Sequence, residues 1–207
     1  IYLRNLEEKK EQVISSIEEQ GKLTEELKNQ ILAAETQVAV EDLYRPYRPK
    51  RRTRATIAKE KGLEPLAAYI MLQRAKEPLE ETAKEYISEE KEVKTAEEAI
   101  QGAADIIAES ISDNADYRSW IRNAAMKKGK VISTAKDPEA ESVYEMYYEF
   151  EEPVSKLAGH RILALNRGEK EKFLTVKVEA PEEDILRYLE KKVIHTDNPY
   201  TTPLLRE

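Results

Sequence analysis

Pro46 and Pro49 stand inside a run of six bases, Arg45, Arg48, Lys50, Arg51, Arg52 and Arg54, with no acid among them. Proline locks φ, lacks a backbone donor and disfavours helix at the residue before it. Helices flanking this segment must therefore stop at it, and residues 45–52 are expected to form an extended, exposed link between two of them. Six like charges also repel one another unless something negative lies opposite. That counter-charge is either phosphate or an acidic face of this same chain. Tyr44 and Tyr47 are interleaved with the bases.

The remaining charge is laid out in blocks. The net charge is −7, yet residues 1–44 hold ten acids and five bases, and residues 77–116 hold thirteen acids and three bases. Residues 117–136 hold six bases and no acid, and residues 137–152 seven acids and no base. Such blocks fold onto one another or segregate into a basic and an acidic face. The net sign argues weakly against wrapping nucleic acid, but local patches decide contact.

Apolar residues recur at helical spacing through most of the chain. Leu3, Leu6, Val13 and Ile17 predict an amphipathic helix over 1–19, stopped at Gly21. Thr24 is the N-cap of a second, whose stripe of Leu27, Ile31, Ala34 and Val38 runs on to Tyr44 and completes a long helical hairpin. Past the basic link, Thr53 or Arg54 begins a short helix ending at Gly62. Pro65 fits the first turn of the next, and Pro78 opens another. Thr95 with Glu98 matches a capping box for a helix reaching about Ser112. Asp113 or Asn114 caps the one after, which ends at Gly129. Its apolar face is Tyr117, Trp120, Ile121 and Ala124, with Arg118 and Arg122 alongside. A helix-turn-helix fits within 54–128, but no segment is singled out for it.

Asp137-Pro138 is read as the start of a helix carrying Tyr144, Met146, Tyr147, Tyr148 and Phe150. Aromatics at this density stack bases in some proteins, though core packing is the commoner use. Pro153 opens a further helix with Val154, Ala158, Ile162 and Leu165 inward. Phe173–Glu179 alternates and is the clear strand, to pair with Lys130–Ser133 or with a segment outside this chain. Pro181 opens the last helix, and the tail from His195 reads as a loop. The expected class is thus mainly all-α: multihelical, with an N-terminal helical hairpin and a short β element near 173–179. Residues 1–136 are expected to form the hairpin and a helical bundle, and residues 137–207 an extension, within one domain or two. The chain opens at Ile1 in what reads as mid-helix, so a piece of a longer protein is expected.

Several chemistries are excluded. Without cysteine there is no disulfide, thiolate metal site or Cys nucleophile, and two histidines argue against a histidine zinc site. No apolar run approaches the ~20 residues of a membrane span, and nothing reads as a signal peptide. A cytoplasmic protein is the expectation. Neither His160 nor His195 is accompanied by a nucleophile elbow or a glycine-rich phosphate loop, and His160 reads as a packing or hydrogen-bonding residue. No catalysis, cofactor, metal or small-molecule substrate is expected.

Three stretches carry a family resemblance: DLYRPYRPKRRTRATIAKEKGLEPLA from Asp42, HRILALNRGEKE from His160 with the strand after it, and EEQGKLTEELKNQILAAET from Glu18. They resemble the Tex family of bacterial transcription accessory proteins, and the likeness is traced over essentially all 207 residues. The resemblance implies a cytoplasmic, multidomain, nucleic-acid-binding protein. It implies a helical region with a helix-turn-helix, then an RNase H-like domain, helix-hairpin-helix elements and an OB-fold RNA-binding domain. This chain resembles the helical region alone.

Two readings stay open. In one, Arg45, Arg48, Lys50, Arg51, Arg52 and Arg54, joined by Arg118, Arg122, Lys127 and Lys128, line a groove that binds RNA or DNA backbone with low sequence specificity. In the other, the arginines bridge acidic helices or dock a neighbouring domain, and the chain is a structural scaffold. A weaker third reading makes the acidic faces a surface for the transcription machinery or another protein partner.

Overall fold

The computed structural model describes all 207 residues, Ile1–Glu207. They form eleven α-helices and a three-stranded antiparallel sheet, in two compact units: residues 1–119 with 189–207, and residues 120–188.

In the first unit, α1 (Tyr2–Glu19), α2 (Glu25–Ala33) and α3 (Gln37–Tyr44) enclose a small core of Leu6, Val13, Ile17, Leu27, Ile31 and Val40. Gly21 turns the chain between α1 and α2 at φ +67°, where other residues are strained. Thr24 caps α2 by accepting from the Leu27 N–H at 3.2 Å. The expected single helix over 24–44 is in fact two. Ala34 turns extended, and the Thr36 hydroxyl accepts from the Ala39 N–H at 3.2 Å, starting α3 afresh. That break rotates the stripe, so Val40 is buried and Val38 exposed. Leu3, expected on the inner face of α1, is also exposed.

A second core lies among α4 (Arg54–Glu60), α5 (Glu64–Met71), α6 (Leu79–Ala83) and α7 (Ala96–Asp113). Thr53 and Thr56 form a reciprocal capping box that launches α4. The Thr95 hydroxyl caps α7 through the Glu98 N–H, while the Glu98 carboxylate reaches back to the Lys94 N–H at 2.8 Å. α4 and α7 meet through small residues: a Cβ on Gly102 would lie 3.3 Å from the Ala58 Cβ, and 2.3 Å from Leu63 Cδ1 beyond α4. Asn114 then caps α8 (Ala115–Lys128) by accepting from the Tyr117 N–H at 3.0 Å.

The second unit contains β1 (Lys130–Ala135), β2 (Glu149–Pro153), α9 (Gly159–Lys170), β3 (Leu174–Glu179) and the first turns of α10 (Glu182–Val193). β3 pairs with β1, one of the two partners left open by the sequence, with Ser133 opposite Val176 and Val131 opposite Val178. β2 lies on the other side of β1, a strand not expected from the sequence. The helix expected from Asp137-Pro138 is absent. Asp137 accepts from the Glu139 N–H, making a turn, and the Tyr148 hydroxyl pins the loop by donating to the Ala140 carbonyl at 2.5 Å. The helix expected from Pro153 starts only at Gly159, after a 3-10 turn. Tyr144 and Tyr147 are core, with Val131, Leu165 and Leu174, whereas Met146 is exposed. The rings of Trp120 and Tyr188 stack at 3.9 Å, nearly parallel.

The end of α10 and a short α11 (Thr202–Arg206) belong to the first unit. The tail expected as a loop is therefore anchored. Gln73, buried with φ +54°, donates to the Val193 carbonyl at 2.6 Å and accepts from the His195 and Thr196 N–H groups at 2.8 and 3.0 Å. Asn198 donates to the Ala75 carbonyl at 2.9 Å. No helix is long and apolar enough to cross a membrane.

Candidate functional site

The basic segment is folded more tightly than an extended link. The chain turns immediately after α3, with the Tyr47 and Arg48 N–H groups both donating to the Tyr44 carbonyl, at 2.8 and 2.9 Å. The turn is tied to α1 twice: Gln20 donates to the Tyr47 carbonyl at 2.8 Å, and the hydroxyls of Ser16 and Tyr44 are 2.9 Å apart. Tyr44 and Tyr47 pack on the hairpin core. Half-buried there, they hold the segment down. From Pro49 to the Thr53 cap the chain has no regular structure and bends at Arg52, in keeping with the helix-breaking prolines.

Its six bases then divide by what they touch. The Arg45 Nε donates to Asp113 Oδ1 at 2.8 Å, and the Lys50 ammonium bonds the other oxygen of the same carboxylate and reaches Glu109 at 3.4 Å. Asp113 is the last residue of α7, where the helix dipole disfavours an acid. The two bases supply the positive charge that this buried carboxylate and helix end require. A second brace runs the other way. Arg118, in the first turn of α8, donates to the buried Asp42 of α3 at 2.9 Å and to the Ser112 carbonyl at 3.2 Å. These two braces cross: α3 and the residue after it contribute Asp42 and Arg45, and the α7–α8 junction answers with Arg118 and Asp113. They fasten the hairpin core to the α4–α7 core.

The other four bases of the segment point to solvent. Arg51 and Arg54 meet no acid. Arg52 pairs with Glu60 at 3.2 Å with both side chains well exposed, and Arg48 approaches Glu41 only to 3.7 Å. Exposed pairs of this kind contribute roughly 0–1 kcal/mol and yield readily to a competing anion. Of the remaining expected site residues, Arg122, Lys127 and Lys128 belong to the second unit and are exposed. Lys128 holds Asp184 at 2.6 Å, which keeps the Asp184 carboxyl below its ordinary pKa, chiefly through that hydrogen bond. His160 is exposed in the first turn of α9.

Sequence reasoning read Asp113 only as a candidate helix cap and did not single out Asp42 or Glu109, although the three decide which bases are free. The available signal was Asp113 closing an 18-residue helix, a position that calls for a cation.

Comparison with known proteins follows the same order along the chain. The family model described as Tex central region-like matches residues 73–198. Its span begins at Gln73, so the basic segment lies before it; pairwise relatives cover that part as well. Over its whole length the chain is 51% identical to the uncharacterized protein YdcI of Bacillus subtilis, covering 29% of that protein. It is 43% identical over 180 residues to Protein tex of Bordetella pertussis, 86% of this chain and 22% of that one. It is 30% identical over 186 residues to the human S1 RNA-binding domain-containing protein 1, 85% of this chain and 18% of that one. The chain thus spans less than a third of the length of these relatives.

Proposed function

The chain belongs to the Tex family, and on that premise we propose that it is a non-catalytic helical scaffold of a cytoplasmic transcription accessory protein. On this scaffold the basic segment presents an accessory binding strip for the backbone of RNA or DNA. The observation that carries the reading is the division of the segment. Arg45 and Lys50 are held inward on Asp113, and that anchoring turns Arg48, Arg51, Arg52 and Arg54 outward on a proline-stiffened backbone. Guanidinium groups set close together on such a segment donate paired hydrogen bonds to phosphate. Such contact carries no base readout, so low sequence specificity is expected. The human relative named for an S1 RNA-binding domain supports a nucleic-acid setting.

The test is a salt titration of binding to single-stranded RNA. Four phosphate contacts give a slope of about −3 in log K against log salt, from about 0.7 per contact on single strands. Replacing Arg48, Arg51, Arg52 and Arg54 by Ala should flatten that slope towards zero with the circular dichroism unchanged. Equal slopes for both proteins would refute the strip.

A second reading has its own observation. The crossed Arg45–Asp113 and Arg118–Asp42 pairs show basic residues spent on intramolecular bracing. If the outward arginines serve likewise, against an acidic surface of another domain or protein, the same variant would bind RNA like the parent and lose that partner instead.

A further inference from the structure

An open valley of about 550 Å³ runs between α4 and α7 and begins at Arg54, the last base of the strip. We propose that this valley receives an unpaired nucleobase from a strand whose phosphates lie on the outer arginines, and that it favours cytosine over uracil. The inference rests on the nucleic-acid reading above and assigns that site a base-binding pocket, with single strands as its ligand class.

The valley exists because of the helix spacing. Arg54 and Ala58 on α4 and Lys61 just after it face the valley, and on α7 Glu98, Gln101, Gly102 and Asp105 do so. Ala58 and Gly102 form a floor of small residues where the two helices approach, with the Leu63 side chain filling the space a Cβ at Gly102 would need. A flat, weakly polar ring fits such a floor, and its volume is that of ordinary ligand clefts, about 300–1,000 Å³. The lining sets three bases, Arg54, Lys61 and Lys94, against three acids, Glu92, Glu98 and Asp105, and these differ in how far they are already committed. Arg54 has no acid partner. At the other end Lys61 is occupied by the Glu92 carbonyl at 2.9 Å and Glu98 by the Lys94 N–H at 2.8 Å. Phosphate is therefore drawn to the Arg54 end and repelled by the acidic α7 wall. A base that enters meets Asp105 and Gln101, which are joined only by a long 3.4 Å contact.

Asp105 accepts only, and Gln101 both donates and accepts. Cytosine offers its exocyclic N4 amino group to a carboxylate and a carbonyl to the amide. In the same pose uracil turns its O4 carbonyl towards the carboxylate, and its one edge donor, N3–H, lies where cytosine has an acceptor. A base paired in a duplex has this edge occupied, and only a splayed single strand can present it. Both pyrimidines stack weakly, so the comparison isolates edge chemistry from stacking.

The experiment measures the 207-residue chain against oligocytidylate and oligouridylate of equal length at one salt concentration. Cytidylate should bind at least about fivefold tighter, the low end for one discriminating edge contact. The double variant Gln101→Leu, Asp105→Asn should bring that ratio to about one while the salt slope stays that of the parent. The ratio is the readout because removing Asp105 also strengthens general attraction to phosphate. A ratio near one in the parent, or a ratio that survives in the variant, overturns the valley and leaves the arginine strip standing. No salt-dependent binding of either oligomer overturns both.

Discussion

Removing Asp113 should destabilise the protein less than removing the two bases that hold it. Asp113 is 9% exposed, Lys50 23% and Arg45 45% as side chains. In Asp113→Ala the lost charge-assisted bonds are worth about 1.5–3 kcal/mol each in isolation. Arg45 returns to water, and Lys50 keeps Glu109 at 3.4 Å. The net loss should be only about 1–2 kcal/mol. In Arg45→Ala, Lys50→Ala the carboxylate stays buried at the negative end of α7 with no cation. Uncompensated buried charges cost about 3–5 kcal/mol. Discounted for the half-exposed arginine, the loss should be about 2–4 kcal/mol. The triple variant should recover part of it, with a coupling of about 1 kcal/mol or more. Urea unfolding followed by circular dichroism reads all three, since a 2 kcal/mol loss moves the midpoint by about 1 M at a slope near 2 kcal/mol/M. A double-base variant within about 0.5 kcal/mol of the parent, or one milder than Asp113→Ala, would refute this reasoning.

Two more outcomes follow from other contacts. Gln73→Leu leaves the Val193 carbonyl and the His195 and Thr196 N–H groups without their partner, at roughly 1–3 kcal/mol per orphaned group. Limited proteolysis should then cut the segment after α10 faster than in the parent. In the second unit the pH limits come from opposite shifts. The Lys128 hydrogen bond lowers the Asp184 pKa, so its stabilisation is present above the ordinary aspartate value and is lost as pH falls through the lowered one. The Lys130 pKa is raised, mainly by its hydrogen bond to Glu151, and that of Tyr144 by burial and then by its bond to Glu171. Both contributions are present below the ordinary lysine and tyrosine values and are lost as pH rises through the raised ones. Thermal melts across pH should show both edges, with Asp184→Asn flattening only the acid one.

Local signals were the legible ones. Thr24, Thr53, Thr95 and Asn114 each cap the helix start that their residue type announces, because a cap acts within three residues. β3 itself was readable from alternation, while its partner Lys130–Ser133 was only one of two left open. β2 was hidden because Glu149–Pro153 sits among acids and aromatics that mimic a helical stripe. The anchored tail was illegible for another reason: its partner Gln73 lies more than 120 residues earlier. The candidate site divides in the same way. The charge run and its proline breaks were plain in the sequence. Which bases it spends on bracing depends on Asp113, 68 residues beyond Arg45, and on Asp42, 76 residues before Arg118.

The central claim is that the inner and outer bases of one segment do different work, and a single paired measurement tests it. The Arg45→Ala, Lys50→Ala protein and the Arg51→Ala, Arg54→Ala protein are compared for urea midpoint and for the salt slope of single-stranded RNA binding. The account predicts that the inner pair lowers the midpoint, and that the outer pair keeps the parent's midpoint and loses about 1.4 from the slope, about 0.7 per contact. An outer pair that lowers the midpoint and leaves the slope intact would contradict it.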